Sequence, residues 1–193
     1  LLAEVVTEGK IVSLDISPES IAVAKDFNRG RKNIEFLAGT IDALVNHECK
    51  GFEFIVLFDV LEHIVLGEHL RNIGILATKA GPQCRIVINI PNPQHTNYLR
   101  EHDPSSLQII DEAVTTEFMI SNWQKHGYSL NYFKTYGIWA SEEYQLMVFH
   151  KSVGAPTNTG GLVAIPRTTP FQTLRRRLNL RRIVRSMVPP QSK

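Results

Sequence analysis

Several apolar runs in the sequence end in polar side chains that could bind a ligand. These side chains belong to Asp15, Thr40, Asp42, Asp59, Asn89 and Asn92. Asp15 offers the clearest chemistry, because one carboxylate can accept hydrogen bonds from both adjacent hydroxyls of a ribose. Aspartate is also a common turn and helix-capping residue, so a structural role is the alternative for each position. Their recurrence after successive runs favours a ligand site.

His63 is the candidate acid–base group. It follows Asp59 by four residues, and histidine exchanges a proton near neutral pH. A general base is needed where a hydroxyl has to become a nucleophile. The alternative is a structural hydrogen bond made by a residue at a helix start. We predict a catalytic role for His63.

Alternating strands and helices must position these residues. Short apolar runs rich in β-branched residues predict strands at residues 10–16, 34–39, 52–59 and 85–90. Helices are predicted after Ser17, which is a good N-cap followed by Pro18, and also near residues 41–45 and over residues 62–79. Such alternation builds a parallel sheet, and ligands bind outside the carboxyl ends of its strands. The polar strand ends should therefore share one edge.

The later part of the chain has a different pattern. A helix is predicted at residues 116–126, and strands at 128–133 and 144–150 lie close enough in the chain to pair antiparallel. We therefore predict an α/β fold with a mostly parallel sheet, helices on both faces and a closing antiparallel strand. The long connection over residues 91–112 is predicted to be a loop that recognises a second ligand, the substrate that accepts the transferred group. Its candidate contacts are His95, Tyr98, Arg100 and His102.

Bulk properties indicate one domain with an appendage. A chain of 193 residues with 43% hydrophobic side chains can bury one sizeable core. It has no apolar run of about 18 residues that would span a membrane. Its two cysteines, Cys49 and Cys84, lack metal-ligand spacing. We expect a cytoplasmic protein whose main domain covers residues 1–151.

The C-terminal part is electrostatically separate from that domain. All 19 acidic residues precede residue 144, whereas eight of the 21 Lys and Arg follow residue 151. Residues 152–170 read as a linker, and residues 171–193 as a basic tail that holds six arginines among apolar residues. We expect the tail to contact an anionic membrane surface, which would place the protein at the inner face of the membrane. Nucleic acid is the competing partner, and a solvated, disordered end is the simplest alternative.

Residues 58–64, FDVLEHI, resemble the strand-end motif of the Rossmann-like S-adenosylmethionine-dependent methyltransferases, in particular the group that contains ubiquinone-pathway and small-molecule enzymes. The segments VSLDIS and FLAGTIDAL precede this motif, and GPQCRIVINIPNP and the closing strand pair follow it. They stand in the order of that family over residues 1–151. Five elements in register make the resemblance specific.

The resemblance implies S-adenosylmethionine as the cofactor and assigns its contacts. Asp15 would bind the ribose hydroxyls, and Ile16 would pack on the adenine. The turn formed by Gly39, Thr40, Ile41 and Asp42 would meet the adenine edge, and Asp59 would lie beside the methionine part. The family usually has Asp directly after the glycine of that turn, where this chain has Thr40. The contact to the adenine amino group would then pass to Asp42 or to a backbone group.

The family's first strand and glycine-rich loop have no counterpart in this sequence. They would precede the helix to which residues 1–7 belong, and the sequence begins with Leu1 rather than Met. We therefore expect the chain to be a fragment of a longer protein, with an upstream hydrophobic strand and a G-x-G type loop that ends near Leu1.

A divalent metal is a less favoured addition to the site. Some phenol and RNA methyltransferases of this class bind a metal through a carboxylate-x-x-Glu-His pattern, which Asp59, Glu62 and His63 match. His95 or His102 would complete such a set, and its oxygen-rich character would suit Mg or Mn. Spacing alone rarely makes a site, so we assign no metal ligand.

The predicted function is methyl transfer from S-adenosylmethionine to a hydroxyl, or another nucleophile, of a small-molecule, lipid-linked or sugar-linked acceptor. A nicotinamide-dependent oxidoreductase would share the acidic strand end at Asp15 but would not explain the FDVLEHI motif. The third possibility is a non-catalytic domain that keeps the methyltransferase fold as a scaffold. Nothing in the residues selects the acceptor.

Overall fold

The structure is a computed structural model that describes residues 2–152, and these fall into two compact units, residues 2–38 and 39–152. The basic tail and all but the first residue of the predicted linker lie outside the described residues. No helix within the described range is both long enough and apolar enough to cross a membrane.

The first unit contains two helices and a two-stranded parallel sheet. Its elements are α1 (Leu2–Val5), β1 (Ile11–Asp15), α2 (Pro18–Phe27) and β2 (Ile34–Ala38). The register runs from Ile11 opposite Ile34 to Asp15 opposite Ala38. The backbone N–H of Ser20 donates to Ser17 Oγ at 3.0 Å, which confirms Ser17 as the N-cap of α2.

The second unit is built on a four-stranded sheet. Its strands are β3 (Phe52–Phe58), β4 (Ala80–Pro91), β5 (Tyr128–Tyr136) and β6 (Tyr144–Lys151), in the spatial order β3-β4-β6-β5. Its α-helices are α3 (Leu66–Lys79), α4 (Pro93–His102) and α5 (Thr116–Gln124). β3 is parallel to β4, while β6 runs antiparallel to both β4 and β5. The predicted α/β fold with a closing antiparallel strand is confirmed.

The core of the second unit is formed by buried apolar side chains of the sheet and of α5. Alternate residues of β4 point into it, and Ile86, Ile88 and Ile90 are fully buried. Trp123 of α5 is also fully buried and packs edge-on against the ring of Tyr128, at 5.4 Å between centroids. Buried apolar and aromatic surface of this kind is the main stabilising contribution to a fold. The strands of the second unit therefore rest on a well-buried apolar core.

The predicted helix over residues 62–79 is wrong at its start. Residues Leu61–His63 form a separate 3-10 turn, and α3 begins only at Leu66. Tertiary hydrogen bonds hold the turn: the N–H of Glu112 donates to the carbonyl of Glu62 at 2.8 Å. The β-branched pair Ile64 and Val65 then adopts extended backbone rather than continuing the turn. Glu62 and His63 consequently do not share a helical turn with Asp59.

The predicted loop over residues 91–112 is also wrong in part. Residues Pro93–His102 form α4, and a 3-10 turn follows at Pro104–Ser106. Asn92 caps α4, since its Oδ1 accepts from the N–H of Gln94 at 3.1 Å, and Pro93 occupies the first helical position. Irregular backbone remains at residues 107–115.

Candidate cofactor and catalytic site

Asp15 is the last residue of β1 in the first unit, and Ile16, which was predicted to end the strand, follows it. Asp15 Oδ1 accepts from the N–H of Ser17 at 2.8 Å, which fixes the carboxylate beside the start of α2. The residue is exposed, and no hydrogen bond to its Oδ2 is found among the described residues. The side chain of Ile16 is 73% exposed, which is unusual for a large apolar residue at a strand end. Both side chains are accessible to a ligand.

The predicted adenine turn, Gly39 to Asp42, opens the second unit. Gly39 has a φ of +146°, and an added Cβ there would lie 3.3 Å from the Cβ of Ala43, so glycine suits the position. Ile41 is buried at 7% exposure, so its side chain belongs to the core. Any contact that Ile41 makes with a ligand has to come from its backbone.

Asp42 is engaged by a neighbouring cation. The guanidinium of Arg71 donates to both carboxylate oxygens, at 3.1 Å from Nη1 to Oδ2, and Thr40 Oγ1 donates to the same Oδ2 at 3.3 Å. The bond from Arg71 lowers the pKa of Asp42. Because its carboxylate is already paired, backbone groups of the turn are better placed to meet a ligand than the side chain of Asp42.

Asp59 directly follows β3 and has a left-handed conformation, with a φ of +52°. Non-glycine residues rarely adopt this backbone, and such positions concentrate at functional sites. The N–H of Asp59 donates to the carbonyl of Asn89 at 2.9 Å, which ties the ends of β3 and β4 together. Asp59 is an exposed residue as a whole, yet partial burial of its carboxyl group raises its pKa, against opposing effects of His63 and the Asn89 side chain.

Two tyrosines extend this network across the sheet. Tyr136 at the end of β5 donates its hydroxyl to Asn89 Oδ1 at 2.8 Å, and its ring stacks on that of Tyr144, at 5.7 Å between centroids. Burial and the nearby charge of Asp59 raise the pKa of both hydroxyls. Both hydroxyls therefore stay neutral at physiological pH, and that of Tyr136 is a hydrogen-bond donor. The sequence analysis named neither as a site residue: Tyr136 lies beyond the predicted end of β5 at residue 133, and Tyr144 was predicted only as the first residue of a strand.

Glu62 is a buried acid beside Asp59. The residue is 2% exposed, and its Oε2 has no hydrogen-bond partner among residues 2–152. Burial raises the pKa of Glu62 from 4.5 to about 8, and the charges of Asp59 and Asp111 act in the same direction. Glu62 is therefore mostly protonated at neutral pH, as expected for a carboxyl group withdrawn from water.

His63 is anchored through one ring nitrogen. Its Nδ1 lies 2.9 Å from the carbonyl oxygen of Ile110 and 3.1 Å from Oδ1 of Asp111. Its Nε2 lies 3.4 Å from the side-chain amide nitrogen of Gln108 and 3.9 Å from Oε1 of Glu62. The His63 side chain remains 30% exposed. Protein contacts at Nδ1 thus orient the ring, and part of the side chain remains accessible.

Two clefts lie in the second unit. One of about 540 Å³ is lined by His63, Leu107, Gln108, Ile109 and Ile110. The other, of about 630 Å³, is lined mostly by hydroxyl and amide side chains: Asn92, Gln94, Thr115, Thr116, Thr135, Ser141 and Gln145. His95 and the partly exposed ring of Phe133 also line this polar cleft. The cleft beside His63 joins apolar walls to an acid–base group, as small-molecule sites commonly do.

The side chains with metal-ligand spacing do not form a metal centre. Asp59, Glu62 and His63 are not a set whose ligand atoms all lie within 4.8 Å of one another. His102, which was to complete the set, directs Nδ1 to the carbonyl of Tyr98 at 2.9 Å and stacks on that ring. His95 lines the polar cleft, whereas His63 lines the other. As placed in the structure, these residues therefore do not form a set of metal ligands.

Comparison with known families identifies the domain. A profile described as a methyltransferase domain matches residues 1–134. No curated protein sequence matches the chain.

Similar solved structures agree with this match. A Methanosarcina mazei S-adenosylmethionine-dependent methyltransferase has a TM-score of 0.63 at 14% identity, covering 79% of this chain and 87% of that one. Magnesium protoporphyrin IX methyltransferase from Synechocystis, with bound S-adenosylhomocysteine, has a TM-score of 0.60 at 15% identity, covering 78% and 67%. An N-methyltransferase of Bradyrhizobium japonicum has a TM-score of 0.57 at 16% identity, covering 75% and 74%. The chain belongs to the methyltransferase domain family, with the Rossmann-like fold of the S-adenosylmethionine-dependent enzymes.

Proposed function

We propose that the protein transfers a methyl group from S-adenosylmethionine to a hydroxyl of a small-molecule, lipid-linked or sugar-linked acceptor. The observation that carries this proposal is the placement of His63, four residues after the strand-end Asp59, with Nδ1 anchored and an apolar cleft beside the ring. Family membership supplies the reaction class. Similar structures include an N-methyltransferase and a porphyrin methyltransferase, so the likeness selects no acceptor.

The residues fit the cofactor in chemistry. The exposed carboxylate of Asp15 can accept hydrogen bonds from both ribose hydroxyls, and the exposed side chain of Ile16 can pack against a purine. The backbone of the Gly39 turn can pair with the adenine edge, and Asp59 can accept from the ammonium group of the methionine part. When bound, S-adenosylmethionine supplies an electrophilic methyl group on a sulfonium. Alignment of that methyl with the acceptor oxygen provides much of the catalysis.

His63 then serves as the general base. Its Nε2 takes the proton of the acceptor hydroxyl, and the resulting oxygen nucleophile forms a bond to the methyl carbon. The carbon–sulfur bond breaks with its electron pair moving to sulfur, which leaves S-adenosylhomocysteine. Leu107 and Ile110 line the cleft beside the ring and offer apolar surface to the carbon skeleton of the acceptor.

A labelled transfer assay tests the proposal. S-adenosylmethionine with a tritiated methyl group is incubated with the full-length protein, a panel of phenols and alcohols, and a lipid extract. We expect label in a hydroxyl-bearing acceptor, and His63→Gln should lower turnover by about 10²- to 10⁴-fold with unchanged cofactor affinity. His95→Gln, which changes a histidine of the other cleft, serves as the control.

Two outcomes would contradict the proposal. Cofactor binding without transfer to any acceptor would favour the scaffold role. Transfer at the wild-type rate by His63→Gln would remove His63 as the base.

We also propose that the basic tail brings the enzyme to an anionic membrane surface. Six arginines among apolar residues support this, since such segments bind anionic lipid headgroups. The tail lacks aromatic residues other than Phe171, which disfavours base stacking on nucleic acid. A membrane position would suit a lipid-linked acceptor.

A further inference from the structure

The contacts of His63 determine which ring nitrogen carries a proton. Nδ1 faces two acceptors, the carbonyl oxygen of Ile110 at 2.9 Å and Oδ1 of Asp111 at 3.1 Å. Neither can donate when the carboxylate is ionised, so the neutral ring must carry its proton on Nδ1. Nε2 then holds a lone pair. The nearest polar group on that side is the amide of Gln108, which can donate to it weakly at 3.4 Å.

Asp111 is itself held in place from several directions. Its Oδ2 accepts from the N–H of Gln108 at 2.6 Å, and its carbonyl accepts from Nη2 of Arg100 at 2.7 Å. The next residue, Glu112, donates its N–H to the carbonyl of Glu62. The Asp111 side chain is only 13% exposed. A carboxylate fixed in this way can orient a ring without losing its own position.

The other titratable groups near His63 cannot replace Asp111. Glu62 Oε1 is 3.9 Å from Nε2, beyond hydrogen-bond distance, and this acid is mostly protonated at neutral pH. Asp59 acts on His63 through charge, with no direct hydrogen bond between their side chains found in the described residues. Arg100 reaches this region through the Asp111 carbonyl. Asp111 is therefore the one carboxylate that pairs directly with Nδ1 in the part of the chain described.

We propose that Asp111 is a positioning residue for His63: with the Ile110 carbonyl it holds the ring as the Nδ1–H tautomer and presents Nε2 for proton transfer. This role rests on the proposed methyl transfer. When Nε2 takes the acceptor proton, the ring becomes a cation, and the Asp111 carboxylate offsets that charge while it keeps Nδ1–H as donor. Pairs in which a carboxylate orients a catalytic histidine recur on unrelated folds.

Nitrogen NMR of the histidine rings tests the proposal on the full 193-residue chain without cofactor or acceptor. The His63 signals are assigned by their loss in His63→Gln. We expect a proton on Nδ1 and none on Nε2 in the neutral wild-type ring. Asp111→Asn should give a mixture of tautomers, because the amide can donate as well as accept. Glu112→Gln removes a charge one residue away and should match the wild type.

Two results would overturn the proposal. A wild-type ring protonated on Nε2 would exclude the tautomer, and an Asp111→Asn spectrum identical to the wild type would assign the tautomer to the Ile110 carbonyl alone. Calorimetric titration with S-adenosylmethionine separates this from the proposed function. Wild type and Asp111→Asn should bind the cofactor equally, and a failure of the wild type to bind would count against the function while leaving the tautomer result standing.

Discussion

Glu62 illustrates how a single side chain acquires unusual chemistry from its position. Glu62 lies in the 3-10 turn Leu61–His63, and its backbone carbonyl accepts a hydrogen bond from the N–H of Glu112. In this arrangement its carboxyl group lies in the protein interior. Withdrawal from water disfavours the charged form more than its backbone hydrogen bonds favour it. Asp59 and Asp111 are the two other acids that lie near this carboxyl group.

The unfolding free energy should depend on pH because the pKa of Glu62 is raised in the folded state. Its pKa of about 8 in the folded state exceeds the ordinary 4.5, so the folded state binds more protons than the unfolded state between these values. The raised pKa of Glu62 therefore stabilises the folded state fully below about pH 4.5, and this stabilisation is lost as pH rises towards 8. The unfolding free energy should fall by at most about 1.4 kcal/mol per pH unit in this range. Glu62→Gln should flatten this slope in urea unfolding measured from pH 5 to 8. The exposed Glu117→Gln should retain it, and equal slopes in both variants would refute the assignment.

Some of the candidate site residues could be predicted from the sequence, and others could not. The positions of Asp15 and Asp59 could be predicted, because each ends an apolar run, and the structure places Asp15 at the end of β1 and Asp59 directly after β3. Their contacts with a ligand stay predictions. Asp111 could not, because it lies in irregular backbone and owes its role to the ring of a residue 48 positions earlier. Pairing of this kind follows from tertiary packing and has no local pattern.

At the level of elements, the N-cap residue and the proline after it indicate most clearly where a helix begins. Ser17 with Pro18 correctly predicted the start of α2, and Asn92 with Pro93 carries the same signature at the start of α4. The prediction of a loop at α4 failed because its polar residues lack an apolar stripe. The break between residues 63 and 66 could not be foreseen, because contacts with the segment around Glu112 produce it.

The turn between β2 and the following 3-10 helix should depend on glycine. Gly39 has a left-handed φ, and an added Cβ would press on Ala43, so Gly39→Ala should cost about 1–3 kcal/mol in unfolding free energy and weaken cofactor binding. Gly67 lies in α3 with no neighbouring atom within 4 Å of an added Cβ, and Gly67→Ala should stabilise by roughly 0.5–1 kcal/mol. Thermal unfolding of both variants checks the pair. A Gly39→Ala protein as stable as Gly67→Ala would show that the turn tolerates a side chain.

On the scale of the whole molecule, charge divides the chain into an acidic part and a basic tail. Residues 1–151 carry every acidic group, whereas residues 171–193 hold mainly basic and apolar side chains. The fold of the first part could be predicted because strand and helix patterns alternate clearly. The tail has no such pattern, and its role rests on composition alone.

Liposome co-sedimentation tests the role of the tail. The full chain should bind vesicles that contain phosphatidylserine and release them at high salt, because headgroup attraction is screened. A chain that ends at residue 166 should stay in the supernatant, and neutral phosphatidylcholine vesicles serve as the lipid control. Equal sedimentation of the two chains, or a stronger binding of the tail to RNA than to vesicles, would contradict a membrane role.

Calorimetric titration of the full-length protein tests most directly whether Asp15 binds the ribose of S-adenosylmethionine. We expect S-adenosylmethionine to bind and NAD to give no heat of binding. Asp15→Asn should weaken S-adenosylmethionine by roughly 10- to 100-fold, since charged hydrogen bonds contribute about 1.5–3 kcal/mol, while the exposed Asp26→Asn should leave the affinity unchanged. Binding of NAD in place of S-adenosylmethionine, or an unchanged affinity in Asp15→Asn, would contradict the claim.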